Sequence, residues 1–171
     1  MCLLNLSFEY LNKPDFFAFA RQIFDILADN MTMIAPTGNS REDDFALWFD
    51  AVSDGLQREE RQIILIKDSE TFVGFFQYYT NVDTFMMEEI QFRPEYQGKG
   101  VFRALYGFVI PHIRDDIEFV EAYASISNGK SIGILERLGL ANTGINKNGR
   151  SYHFKGNYSD FLEWFYSGSS L

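Results

Sequence analysis

The sequence predicts an α/β domain in which an antiparallel meander is flanked by helices. Three observations carry that expectation. The runs RQIILIKD, TFVGFFQYYT and TFMMEEIQF are rich in β-branched and aromatic residues and follow one another across separators too short for crossover helices. Two segments ahead of them repeat apolar residues at helical spacing. The last of the three runs passes through PEYQGKGVF into another helical pattern.

Each element can be justified in turn. LNLSFEYL alternates enough for a first strand. In NKPDFFAFARQIFDILADNM, Asn12 is a candidate cap and Pro14 suits a first helical turn, while Phe16, Ala20, Ile23, Phe24 and Leu27 fall on one face. SREDDFALWFDAVSDGL opens on a Ser40/Asp43 capping pattern and repeats Phe45, Trp48, Phe49, Val52 and Leu56 at helical spacing. The three meander strands follow. From the glycine turn the pattern becomes GVFRALYGFVIPHIRDD, a helix whose last part Pro111 bends or shortens. FVEAYASI then reads as a strand, SIGILERLGL as a short helix, RSYHFKG as a strand and NYSDFLEWFYSGSSL as a docked aromatic helix. The chain has no repeat, low-complexity tract or linker.

Composition narrows the class. A chain of 171 residues with 46% apolar and 17% aromatic content fills one core, so residues 1–171 are expected to form a single domain. The formal net charge of −9 argues against a nucleic-acid binder and suits a cationic or neutral small substrate. Cys2 is the only cysteine, and with only His112 and His153 no familiar zinc spacing can be assembled; no metal is expected, and a reducing cytoplasm is the simplest setting. MCLLNLSFEYLNKPDFF has neither a basic leader nor a long apolar segment, so a soluble chain, complete as read, with no membrane partner is expected.

The strand, glycine turn and helix around PEYQGKGVF have a definite physical use. A helix head leaves N–H groups without intrahelical partners and its dipole favours an anion, so the junction is a candidate phosphate or pyrophosphate cradle. Arg93, Lys99 and Arg103 surround it with only Glu95 opposing them. A tight connection with exposed basic residues accounts for the same pattern.

Beyond the single turn, the sequence resembles the GNAT superfamily of acyl-CoA-dependent N-acetyltransferases. That family's pyrophosphate motif, Gln/Arg-x-x-Gly-x-Gly/Ala, is similar to Gln97-Gly98-Lys99-Gly100-Val101-Phe102 except at the last position. At the defined places of its second motif, Asn-x-x-Ala-x-x-x-Tyr-x-x-x-Gly-Phe, this chain supplies Asn128, Ser131, Leu135, Gly139 and Leu140. The helix-helix-meander order and the late strand SYHFKG also resemble the family, so the likeness covers nearly the whole chain and is most specific over residues 86 to 140.

The resemblance implies the GNAT-type acyl-CoA N-acyltransferase fold, with a central mixed sheet, and acetyl-CoA as acyl donor. It further implies that backbone amides from Gln97 through Gly98, Lys99, Gly100 and Val101 to Phe102 hold the pyrophosphate, with Lys99 or Arg103 adding charge. The strand end Ile90, Gln91 and Phe92 would pair with the pantetheine arm, and Asn128 would offer it an amide, with Ser131 one helical turn away. Asn128 in SNGKS equally suits a helix cap or turn. MEEIQFRPEYQGKG is similar to the matching strand of the spermidine/spermine acetyltransferases, which implies Glu88 as general base and Glu89 as the group that orients or attracts a cationic amine. Strand alternation puts Glu88 with Met86, Ile90 and Phe92, and Glu89 with Met87 and Gln91.

Two of the chain's departures from the family's motifs bear on the site. Leu135 stands where the family carries its general-acid tyrosine, leaving Tyr123, Tyr152, His153 or water as substitutes. Phe102 replaces a small residue, which its amide tolerates if the ring turns inward. REDD at Arg41 to Asp44 either draws a cationic acceptor or is a solvated helix start, and Trp48 and Phe49 are either core or cleft lining. The leading expectation is an acetyltransferase acting on a small-molecule or peptide amine by direct attack in a ternary complex, by default a homodimer. A non-catalytic acyl-CoA sensor, suggested by Leu135, and a phosphate-binding α/β domain outside the superfamily are the alternatives.

Overall fold

The computed structural model describes residues 3–169 and 171, so Cys2 lies outside the described residues. Strand β1 (Leu6–Tyr10) is followed by a 3-10 turn at Lys13–Asp15, then helices α1 (Phe16–Met31) and α2 (Arg41–Gly55). Strands β2 (Arg61–Asp68), β3 (Thr71–Asn81) and β4 (Thr84–Phe92) form the expected succession. A 3-10 turn at Pro94–Tyr96 leads to α3 (Val101–Val109), which ends in another at Ile110–His112, the one Pro111 imposes. Then come β5 (Phe119–Ser125), α4 (Gly129–Arg137), β6 (Ala141–Ile145), β7 (Ser151–Asn157) and α5 (Tyr158–Ser167). The seven strands make one mixed sheet in the order β1-β2-β3-β4-β5-β7-β6, with β1 antiparallel to β2, β4 parallel to β5 and β7 antiparallel to both β5 and β6.

Two compact units can be described: Met1–Gln77 with Glu89–Leu105, and Tyr78–Glu88 with Tyr106–Leu171. In the first, three residues of the predicted α1 stripe, Phe16, Ala20 and Ile23, enter the core together with Ile26, while Leu27 is only partly buried against it. Phe16, Ala20, Ile23 and Ile26 pack with Val52 and Leu56 and with Ile63, Leu65 and Phe75 of the sheet. The rings of Trp48 and Phe49 lie 5.8 and 5.5 Å from that of Phe16, which places them in this packing. The acidic start of α2 has structural partners throughout. Ser40 caps the helix by accepting the Asp43 N–H, and Arg41 bridges to Asp25 and Asp29 of α1 at 2.9 Å each. Glu42 pairs with Arg21 at 2.6 Å, and Asp44 accepts from Thr37 and Asn39 at 2.6 and 3.0 Å, which lowers its pKa.

In the second unit, Phe85, Tyr106, Phe154 and Phe161 are fully buried. The Tyr106 ring meets Phe161 edge-on at 4.9 Å, the quadrupole-favoured arrangement. Helix α4 is stopped two residues past Arg137 by Gly139, φ +91°, where a left-handed residue is needed. The Gly139 N–H donates to Glu136 and the Leu140 N–H to Leu135, the paired bonds of a Schellman stop. The second motif's glycine therefore ends a helix.

Two local expectations are corrected. Asn12 makes no cap bond to the backbone; its amide donates to the Asp15 carboxylate at 3.1 Å, and a 3-10 turn intervenes before α1 begins at Phe16. Strand β6, ANTGI, has no counterpart in the predicted elements, because all five residues are exposed and no apolar alternation marks it.

Candidate active site

The parallel register of β4 with β5 runs from Thr84↔Phe119 to Met87↔Ala122, so Glu88 to Phe92 lie beyond it. Met87 accepts a hydrogen bond from the Tyr106 hydroxyl on α3 at 3.2 Å. Phe92 packs edge-on against Phe102, also on α3, at 5.2 Å. Glu89 and Gln91 share a face, as strand alternation expects, because Gln91 Nε2 donates to Glu89 Oε1 at 2.6 Å.

Both carboxylates are half-buried. On the Glu89 side a chain of amides runs inward: Asn30 of α1 donates to Gln91 Oε1 at 2.9 Å and to the Phe92 carbonyl at 2.8 Å, and Gln91 in turn donates to Glu89. Gln97 Nε2 also donates to the Phe92 carbonyl at 3.2 Å. The sequence reading missed Asn30. Its signal was present, since Asn30 lies seven residues after Ile23 and three after Leu27, a polar residue on the apolar stripe of α1.

The glycine turn answers to backbone conformation. Gly98 and Gly100 have φ of +72° and +78°, and a Cβ built at either would meet nothing within 4 Å. These glycines are set by left-handed geometry, with open space around them in this chain. The Gln97 N–H donates to the Pro94 carbonyl within the 3-10 turn, and the Ala104 N–H donates to Gly100, so Gly100 stands at the head of α3. Such a head directs N–H groups outward, and open space beside it fits a pyrophosphate. Lys99 is exposed and sits over the Tyr96 ring at 5.9 Å, and Arg93 Nε donates to the Phe72 carbonyl at 2.9 Å. Phe102 turns its ring onto Phe92, away from its own amide.

In the second unit, Asn128 is the N-cap of α4, its Oδ1 accepting the Ser131 N–H at 3.1 Å. Its amide NH2 remains as a donor. Leu135 is buried at 8% exposure and supplies no proton. His112 Nδ1 lies 2.9 Å from the Phe108 carbonyl, which fits a helix-end role. Among the described residues no group of three or more His, Cys, Asp or Glu is arranged to hold a metal, and no helix is long and apolar enough to cross a membrane.

A seven-stranded mixed sheet with flanking helices, in which β4 leads through a left-handed glycine turn into α3, is the architecture of the GNAT fold. The chain matches the acetyltransferase (GNAT) family over residues 20–140 and belongs to that family. The fold is shared with an acetyltransferase from Thermus thermophilus, at TM-score 0.67 and 17% identity over 92% of this chain and 99% of that one. PaiA N-acetyltransferase from Thermoplasma acidophilum, solved with coenzyme A, matches at TM-score 0.69 and 13% identity over 90% and 99%. Spermidine N-acetyltransferase from Vibrio cholerae, solved with CoA and spermine, matches at 0.57 and 18% over 92% and 98%. Curated protein sequences include no match to this chain.

Proposed function

We propose that the protein is an N-acetyltransferase that moves an acetyl group from acetyl-CoA to a primary amine of a small molecule or peptide, the amine attacking directly in a ternary complex. The observation that carries this reading is that the pairing of β4 with β5 ends at Met87, just ahead of Glu88, on the strand that leads into the left-handed Gly98 and Gly100. Acetyl-CoA supplies the reactive thioester. The N–H groups from Gly98 to Phe102 would hold its pyrophosphate, that of Gln97 being engaged by the Pro94 carbonyl, with Lys99 or Arg103 adding charge. The Ile90 to Phe92 edge would take the pantetheine amides, and the Asn128 NH2 would donate to the same arm.

The chain's own chemistry follows from amine protonation. An alkylamine with pKa near 10.4 is mostly cationic at neutral pH, and only its neutral form is a nucleophile. Glu88 would accept the proton. Glu89, held by Gln91 and Asn30, would attract and orient the cation, for which the likeness to a polyamine acetyltransferase and the net charge of −9 offer support.

The test is release of CoA thiol from acetyl-CoA across a panel of amines, including polyamines, with Glu88→Gln beside the native chain. The variant is expected to turn over more slowly at neutral pH and to recover partly as pH rises and the amine deprotonates itself. Equal rates would remove Glu88 from the mechanism. The burial of Leu135 favours a second reading, a non-catalytic acyl-CoA sensor. Thermal stabilisation by CoA with no turnover on the panel would select it.

A further inference from the structure

A second cluster lies wholly in the unit that contains β5, β6 and β7. Glu121, Tyr123, His153 and Lys155 are alternate residues of two paired strands, with Tyr123 opposite His153 and Glu121 opposite Lys155. His153 Nε2 lies 2.8 Å from Glu121 Oε2, and Lys155 Nζ lies 3.3 Å from Glu121 Oε1. The Tyr123 ring covers the imidazole at 4.9 Å. On the other side of the ring, His153 Nδ1 makes a short hydrogen bond to the Thr143 hydroxyl. Thr143 falls where the β6 register shifts between Asn142 and Gly144, a bulge that re-aims its side chain, and Gly144 has φ +128°.

The proton positions follow from the partners. An ionised carboxylate only accepts, so Nε2 carries the proton given to Glu121, and in the neutral ring Nδ1 presents its lone pair to the Thr143 hydroxyl. Thr143 Oγ1 also lies 3.2 Å from the His153 carbonyl. When the ring is protonated at both nitrogens, the hydroxyl proton has that carbonyl as its acceptor. A hydroxyl against a base that is itself oriented by a third group is the arrangement of an activated nucleophile.

The cluster opens on a groove of about 570 Å³ lined by Tyr123, Thr143, Ile145, His153 and the Asn146 to Asn148 turn. Asn146 Oδ1 accepts the Arg150 and Ser151 N–H groups, and Asn148 Oδ1 accepts the Arg150 N–H. That fills Asn146 Oδ1 and leaves its NH2, Asn148 keeps its NH2 beside one acceptor site, and Lys147 between them is only a donor, so donors predominate. A wall of donors beside an activated hydroxyl suits a carbonyl that becomes an oxyanion.

We propose that Thr143 and His153 are a second catalytic centre, which hydrolyses short-chain carboxylic esters through an acyl-Thr143 intermediate, with Glu121 as the positioning residue. Thr143 Oγ1 bonds to the acyl carbon as its proton passes to His153 Nδ1. The carbon–oxygen bond to the alcohol breaks, and the alcohol leaves with that proton. Water then gives a proton to Nδ1 and its oxygen to the acyl carbon. The bond to Oγ1 breaks, Thr143 regains the proton and the carboxylic acid departs. This activity is independent of the amine transfer proposed above.

The experiment is hydrolysis of p-nitrophenyl acetate without CoA, with peptide mass mapping of the acid-quenched protein. An acetyl group on Thr143 is expected. Thr143→Val and His153→Gln should each lower hydrolysis on the order of 100-fold, the lower range of acid–base contributions, while Thr143→Ser should keep both the label and the activity. Glu121→Gln should move the pH at half-maximal rate with KM little changed, a readout that loss of packing alone would not produce. Acetylation confined to lysines, or a Thr143→Val variant as fast as the native chain, would overturn the assignment.

Discussion

Asn30 shows how one side chain can orient the donor to a carboxylate two hydrogen bonds away. Its NH2 faces two acceptors, Gln91 Oε1 at 2.9 Å and the Phe92 carbonyl at 2.8 Å. The carbonyl can only accept, which fixes the Asn30 amide, and Gln91 is then turned to donate to Glu89. Asn30→Ala removes both bonds while the Phe92 carbonyl keeps Gln97 Nε2, at a cost of about 0.5–1.5 kcal/mol for each bond lost. Asn30→Asp should melt lower still, because it sets a third acceptor against the same two oxygens. Thermal melts of both variants check the order, and an Asp variant more stable than the Ala variant would show that the amide direction is wrong. If Glu89 also orients the acceptor, KM for a cationic amine should rise in both. At this scale the sequence was legible where conformation is local: Gly98 and Gly100 are left-handed, and the Phe102 ring turns onto Phe92. It was not legible where a contact joins distant segments, as Asn30 and Gln91 do across 61 positions.

The element that gathers these residues is the end of β4, and it depends on a glycine one strand away. A Cβ at Gly74 of β3 would lie 2.4 Å from the Gln91 carbonyl oxygen and 2.8 Å from Phe92 Cδ1. Neither atom is the far end of a flexible chain, so the strand end itself must move. Gly74→Ala is therefore expected to cost about 1–3 kcal/mol, the usual range for overpacking. It should also weaken thermal stabilisation by CoA if Ile90 to Phe92 take the pantetheine arm. Urea midpoints and CoA melts measure the two effects, and an unchanged midpoint would mean that β3 and β4 separate freely here. A glycine inside an apolar strand marks close backbone approach, but FVGFF alone does not say to what. The capping pattern at Ser40 and the stop at Pro111 were readable because cap and proline act within a few residues. Strand β6 was not readable, since its pairing with β7 is made by backbone and its side chains are exposed.

For the whole molecule, the expectation of an α/β protein with an antiparallel meander and a mixed sheet holds, because binary pattern and short connections leave few other arrangements. Its behaviour at high pH follows from the buried phenols. Burial holds the Tyr106 pKa well above the ordinary value near 10, and burial together with Tyr166 pushes Tyr158 up to about 12. In the unfolded chain both would titrate near 10. Above that pH the unfolded state binds fewer protons than the folded one, so stability falls as pH rises. The contribution is complete below about pH 10 and is lost progressively above it, at a slope approaching about 1.4 kcal/mol per pH unit for each group. Other groups also titrate there, lysines among them, so the informative quantity is a difference. The unfolding free energy of the native chain minus that of Tyr106→Phe should be flat from about pH 7 to 9 and should decline between about pH 10 and 12. Urea titrations at each pH supply it. A difference independent of pH would mean that Tyr106 ionises as readily in the folded protein as in the unfolded chain, against its 1% exposure.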